Sequence, residues 1–296
     1  MADDVFDLAC GPVRARVAQR GGELVGLAFD GVPVLWPGDP SIWGRQAPVL
    51  FPVVGRSPGG RISVGGHDYP MPAHGFARDR DFTLIERDDR RVRLAIDADD
   101  ETRAMYPFSF RLTIEVAAEE FELSIVAVIE NVDEKPMPFG FGFHPGFVWP
   151  TQPAERSRYQ VHFETAEDGR VRRADPVTGL LLPGHDTISL AGRTLRLDDG
   201  LFQAGSIHFE RARSRSLWFG PHAGLGLRVA FPDSPQLGIW SLPGAPFLCI
   251  EPWQGLAAEA GGSGALEQRP GTSLLHPGHT ARYRMTIMPG VRDRES

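Results

Sequence analysis

The sequence predicts an all-β fold, a large antiparallel β-sandwich forming a single domain over residues 1–296, and three features predict it. Glycine and proline are dense, 34 and 26 of 296 residues, a fifth of the chain, where roughly 12% is usual. Apolar residues recur with a period of two along most of the length. No amphipathic pattern longer than two turns stands out, and Gly and Pro cost about 1 and 3 kcal/mol in a helix interior. The 42% apolar content excludes a disordered chain, and the glycines lack the period of three of collagen.

The strands follow in order. Val92, Leu94 and Ile96 share one face, and Leu112, Ile114 and Val116 share another. Ala-Ala-Glu-Glu at 117–120 reads as a hairpin turn into Phe121, Leu123, Ile125, Ala127 and Ile129, the clearest alternation in the chain. Later strands are expected at Tyr159–Phe163, Ile207–Phe209, Leu225–Phe231 and Tyr283–Ile287. Turn signals at 37–39, 58–60, 64–66 and 198–200 punctuate them. The best helical candidates are short, Leu256–Glu259 and a turn near Ser41–Trp43. Strands in this number bury both faces only as packed sheets. Phe139, Phe141 and Phe143 are expected in that core.

The net charge of −7 argues against a polyanionic partner, so no nucleic acid is expected. Thirty of the 31 cationic residues are Arg, and only Lys135 is Lys. This reads as genomic bias, with arginines scattered among aspartates on a solvated surface. The acidic start, Met-Ala-Asp-Asp, is unlike a signal peptide, and no apolar run is long enough to span a membrane. A cytoplasmic protein with no membrane partner is therefore expected. Cys10 and Cys249 are read as two buried free thiols.

Three segments pair a titratable group with restricted backbone: 72–82 with His74, 141–147 with His144, and 247–255 with Glu251. His144 and Glu251 each precede a proline, which holds a residue extended. An unpaired carboxylate in an apolar stretch is costly, so Glu251 implies either chemistry or an Arg partner. The pair His144 and Glu251 suits acid–base work, provided their reacting atoms lie within about 8 Å of each other. His74, His144 and Glu251 together would make a His₂Glu zinc set, but no matching spacing supports it, and no metal is expected. His-Pro-Gly-His at 276–279 reads as a turn. Ala-Gly-Gly-Ser-Gly at 260–264 lacks the Lys-Ser/Thr of a phosphate loop.

Together these segments resemble the aldose 1-epimerase (galactose mutarotase-like) family, in its LacX-type branch. The likeness runs through 21–27 (Gly-Gly-Glu-Leu-Val-Gly-Leu), 35–45, 47–56 (Ala-Pro-Val-Leu-Phe-Pro-Val-Val-Gly-Arg), 74–79 (His-Gly-Phe-Ala-Arg-Asp), 144–147, 231–241 and 249–255. The resemblance implies the mutarotase-type sandwich with an open sugar cleft, no cofactor, and interconversion of the α and β anomers of a hexose. It implies Glu251 as general base and His144 as general acid, with His74 and Arg56 orienting the sugar. Trp240 and Trp253 are candidate platforms for a pyranose face. The chain departs from the branch at Gly205, where an Asp is usual, so Asp198, Asp199 or His208 would have to substitute. It also departs at Phe141–Phe143, where smaller residues are usual. Two other readings stay open: a hexose-6-phosphate mutarotase, which needs arginines such as Arg61, Arg78 and Arg103 to converge, and a non-catalytic sugar-binding domain. A monomer or weak homodimer is expected.

Overall fold

The computed structural model describes residues 4–292, so the first three residues of the acidic N-terminus lie outside the described residues. Two large antiparallel sheets dominate. The nine-stranded sheet runs, in spatial order, through Thr194–Arg196, Tyr159–Phe163, Ser216–Pro221, Gly224–Ala230, Thr280–Arg292, Leu123–Asn131, Phe110–Ala118, Arg91–Asp97 and Thr83–Arg87. The second has eight strands, with Ile207–Phe209, Gln236–Trp240, Phe247–Gln254 and Phe141–Phe143 at its centre. A four-stranded antiparallel sheet, Val5–Cys10 to Val32–Pro33, adds residues such as Phe6, Leu8 and Val17 to the same core.

Alternation explains how these sheets pack. Val92, Leu94, Leu112, Ile114, Ile125 and Ile129 from one sheet join Ile207, Ile239, Leu248 and Ile250 from the other in one buried cluster. Rings cross between the sheets: Phe163 meets Phe209 at 5.3 Å, and Phe141 stacks on Tyr283 at 5.0 Å. Phe139, Phe141 and Phe143 lie in this core, as their pattern predicts. A transferred ring of this size contributes about 2–3 kcal/mol, so the interlocked aromatics set the spacing of the sheets.

The structure corrects the sequence reading in three places. Ala117 and Ala118 remain in their strand, and the hairpin turns at 119–122, closed by Glu119 N–H to Glu122 C=O at 2.8 Å. Phe121 therefore sits in the turn, 65% exposed. Leu256–Glu259 is not helical, because its amides are already engaged by other segments: Leu256 N–H donates to Pro270 and Ala258 N–H to Arg56. Among the described residues the single-turn α-helices lie instead at Asp100–Arg103, closed by an Asp99–Thr102 capping box, and Pro153–Arg156. Cys10 is only partly buried, whereas Cys249 is fully buried; both are free thiols. Among the described residues no helix is long and apolar enough to cross a membrane.

Candidate active site

The strand Phe247–Gln254 builds the floor of the site. Its period of two sends Leu248 and Ile250 into the core between the sheets, and Cys249, Glu251 and Trp253 to the opposite face. One neighbouring strand pairs Gly142 with Trp253 and, after a break, Gly146 with Cys249. The register is the same on both sides of the break, so His144 lies directly opposite Glu251. Pro145 occupies the break, where its lack of an N–H costs nothing to the ladder, and its carbonyl accepts from Ile250 N–H at 3.2 Å. On the other side Gly238 pairs with Glu251, and a side chain there would crowd the Trp253 ring at 3.1 Å and Glu251 Cβ at 3.2 Å.

The result is a buried pair: His144 Nε2 lies 3.2 Å from Glu251 Oε2, with the two side chains 9% and 2% exposed. They touch directly, well inside the reach expected of them. Burial pushes the Glu251 carboxyl well above its ordinary range. Burial, reinforced by the nearby Arg78 cation, lowers His144 to about 3. The pair thus holds a single proton, on the carboxyl.

Loops from several segments wall a cavity of about 400 Å³ over this pair, a size suited to a small polar ligand. His144, Glu251, His74, Arg56, Trp240 and Trp253 all line it, so these six residues singled out from the sequence reach one place. Trp43 stacks on His144 at 5.2 Å, and Trp240 and His74 meet the same imidazole edge-on at 5.8 and 5.4 Å. Trp43 is delivered by a turn in which Asp39 accepts from Ser41 N–H at 2.8 Å. Trp253 is only 3% exposed and stacks on His208 at 5.1 Å, so its face is occupied by that ring.

His74 sits in left-handed backbone, φ 65°, and is followed by Gly75 at φ 75°. A side chain at Gly75 would collide with the Phe51 carbonyl, 2.0 Å from its Cβ position. Such strain costs about 1–2 kcal/mol and persists only where surrounding bonds impose it. Here Gly55 N–H donates to His74 Nδ1 at 3.1 Å. His74 must then carry its ring proton on Nε2. Burial holds its pKa well below 6.5, so it is a neutral donor.

The expected Asp substitutes do not all reach the site. Asp198 caps the turn at Leu201, and Asp199 pairs with Arg156 at 2.6 Å. His208 does line the cavity, with Nε2 2.7 Å from Ser206 Oγ. Gly205 accepts no side chain, because its φ is 88° and a Cβ would lie 2.1 Å from the Ala174 carbonyl. Of the arginines considered for a phosphate, only Arg78 lines the cavity, beside Arg56. Arg61 bonds to Asp68 and Arg103 to Asp100 at the surface, so the required convergence is not formed.

Sequence reasoning missed Trp43, Ser206 and Arg269. Arg269 is buried beneath the loop that carries Arg56, and burial lowers its pKa to about 9. It donates to the carbonyls of Leu256 (2.7 Å), Val54 and Arg56 (3.1 Å) and to Ser57 Oγ (2.7 Å). Arg269→Met would leave these acceptors unpaired. A loss of about 3 kcal/mol in unfolding free energy is expected, with a raised KM, read from urea denaturation and initial rates. Arg269→Lys should recover little, since one ammonium cannot serve four acceptors.

Residues 5–189 match the sequence model of the aldose 1-epimerase family. The chromosomal and plasmid LacX proteins of Lactococcus lactis subsp. lactis are each 32% identical over 281 residues, covering 90% of this chain and 94% of theirs. Among solved structures, a galactose mutarotase-like protein from Lactobacillus casei superposes with a TM-score of 0.91 at 28% identity, covering 97% of this chain and 100% of that one. A galactose mutarotase related enzyme from Lactobacillus acidophilus gives 0.89 at 26% identity, covering 97% of each.

Proposed function

The chain belongs to the aldose 1-epimerase family, and from that premise we propose that it interconverts the α and β anomers of a free hexose, with Glu251 and His144 as the reacting groups. The observation that carries this reading is the buried pair at 3.2 Å on the floor of the cavity. A hemiacetal opens when the anomeric hydroxyl loses a proton as the ring oxygen gains one. Both oxygens are bonded to the same carbon, so an acid and a base in mutual contact can address them together.

Opening begins from the arrangement in which Glu251 is charged and His144 protonated, reached by moving one proton across their hydrogen bond. Glu251 takes the hydroxyl proton, His144 gives its proton to the ring oxygen, and the C1–O5 bond breaks to the aldehyde. The pair now holds its proton on Glu251, the arrangement favoured by burial. Rotation about C1–C2 presents the other carbonyl face. His144 then takes the proton back from the C5 hydroxyl as Glu251 returns its own to O1, and the opposite anomer closes. No net proton enters or leaves. His74 Nε2–H and the Arg56 guanidinium support charge developing on the sugar oxygens.

Ser206 reads a sugar hydroxyl where no carboxylate is possible. Burial, with Arg173 and Arg172 nearby, lowers His208 to about 3, so its ring is neutral. Its Nδ1 is buried without a partner, and the tautomer that leaves no N–H unpaired donates from Nε2 to Ser206 Oγ. The Ser206 hydroxyl proton then points to the ligand. Ser206→Ala is expected to raise KM about tenfold with kcat little changed, the value of one hydrogen bond.

Polarimetry or exchange NMR on α-glucose and α-galactose tests the activity, with glucose 6-phosphate as the comparison. Anomer exchange no faster than the spontaneous rate for every sugar, despite measurable binding, would make the domain a sugar binder and sink the proposal.

A further inference from the structure

The sheet register that pairs Glu251 with His144 places a third group beside them. Cys249 precedes Glu251 by two residues on the same strand, so both side chains leave the same face. Cys249 stands opposite Gly146, while His144 stands opposite Glu251, making thiol and imidazole diagonal neighbours across the sheet. One ligand atom from each of the three residues lies within 4.8 Å of the others, and all three are buried. This trio is distinct from the His74, His144 and Glu251 set weighed in the sequence.

We propose that His144, Glu251 and Cys249 form a binding site for a thiophilic divalent cation of the Zn²⁺ type, and that occupancy switches the acid–base pair off.

The geometry and the chemistry both favour this. Nitrogen and oxygen ligands bind Zn²⁺ at about 2.0–2.1 Å, which puts two of them about 3.3 Å apart on a tetrahedral ion. His144 and Glu251 already stand 3.2 Å apart. The thiol closes the triangle by a shift of about 1 Å. The donor set of one imidazole, one carboxylate and one thiolate suits Zn²⁺, Co²⁺ or Cd²⁺ and discriminates against Mg²⁺ and Ca²⁺.

Charge is the second argument. Burying an uncompensated thiolate and carboxylate side by side would be costly. A divalent cation offsets one thiolate and one carboxylate completely, with His144 neutral, so the loaded site buries no net charge. Binding releases the thiol proton and the carboxyl proton to solvent. The ion enters through the cavity, which His144 and Glu251 line. A bound ion holds the carboxylate and imidazole lone pairs that proton transfer needs. This inhibitory consequence rests on the activity proposed above; the binding does not.

The test titrates the reduced full-length protein with Co²⁺, followed by Zn²⁺ displacement and by Zn²⁺ calorimetry. One equivalent of Co²⁺ is expected to give a thiolate-to-cobalt charge-transfer band with the visible bands of a four-coordinate site. Cys249→Ser and Cys249→Ala should both lose the charge-transfer band and bind Zn²⁺ about 100-fold more weakly. Cys10→Ser should retain both, and Mg²⁺ should compete in none. Should neither Cys249 variant fold by circular dichroism, His144→Gln is used instead and should bind Zn²⁺ about 100-fold more weakly. Absence of a saturable single site, or survival of the band without Cys249, overturns the proposal. In rate assays Zn²⁺ should inhibit the wild type and leave Cys249→Ala at least tenfold more resistant. A protein that binds the metal but shows no anomer exchange would refute the activity and leave the site standing.

Discussion

Glu251→Gln is expected to lower kcat for anomer exchange about 10³-fold while leaving KM near its wild-type value. Removing a general base costs about 10²–10⁴-fold, and here the partner acid is disabled with it, because His144 exchanges its proton with this carboxylate. The variant should fold, because the folded protein buries Glu251 in its neutral form, so an amide of the same shape replaces a carboxylic acid rather than a charge. Exchange NMR on α-glucose or α-galactose measures the effect. A variant retaining a tenth of wild-type kcat would remove Glu251 from the chemistry. The pH profile of the wild type follows from the same proton count. The active pair holds one proton. Below about pH 3 His144 takes a second, the base is lost and kcat/KM falls. The alkaline limb comes where Glu251 gives up the only proton, well above the usual carboxylate range. Between these limits the profile should be flat through pH 6.5, where an ordinary histidine would titrate.

Much of the site was legible because its residues carry local signals. His144 and Glu251 each precede a proline, and His74 precedes a glycine, so restricted backbone marked them in the sequence. What brings them together is not local. The opposition of His144 and Glu251 depends on a register between strands more than 100 positions apart, fixed only when the sheet forms. The role of Cys249 depends on the same register. Arg269 had no signal at all, being one of thirty arginines in a chain nearly devoid of lysine. Its importance appears only when four acceptors converge on it. Gly205 was marked by its departure from the branch pattern, but the reason is steric: the Ala174 carbonyl occupies the space a side chain would need. Errors at Phe121 and Leu256–Glu259 share a cause. In both, periodicity continued past the point where backbone hydrogen bonds had found other partners.

The largest effect on stability should come from splitting the pair and measuring how unfolding depends on pH. In the unfolded chain Glu251 titrates near 4.5 and His144 near 6.5. Between those values the unfolded pair holds one proton, on the histidine. The folded pair also holds one, on the carboxyl. Folding moves the proton without changing its number, so the intact pair adds no pH dependence in this window. Each partner alone behaves differently. The depressed His144 contributes stability present above pH 6.5 and lost as pH falls toward about 3. The raised Glu251 contributes stability present below pH 4.5 and lost as pH rises. Burial is the leading cause in both, so each shift survives loss of the other residue. Relative to wild type, His144→Gln should therefore gain about 1.4 kcal/mol for each pH unit of acidification across the window, and Glu251→Gln should lose as much. The two variants diverge by about 3 kcal/mol per pH unit, a large share of the 5–15 kcal/mol typical of a folded domain. His208 and Glu23 also shift on folding, but they are common to all three proteins and cancel in the comparison, while burial, the leading cause for His74, keeps that group depressed in each. Urea midpoints measured from pH 4.5 to 6.5 decide it. Parallel curves for the three proteins would mean that the pair is not held in its singly protonated form. Divergence in the stated directions would establish independently of any sugar that Glu251 and His144 share one proton, the condition on which the acid–base chemistry depends.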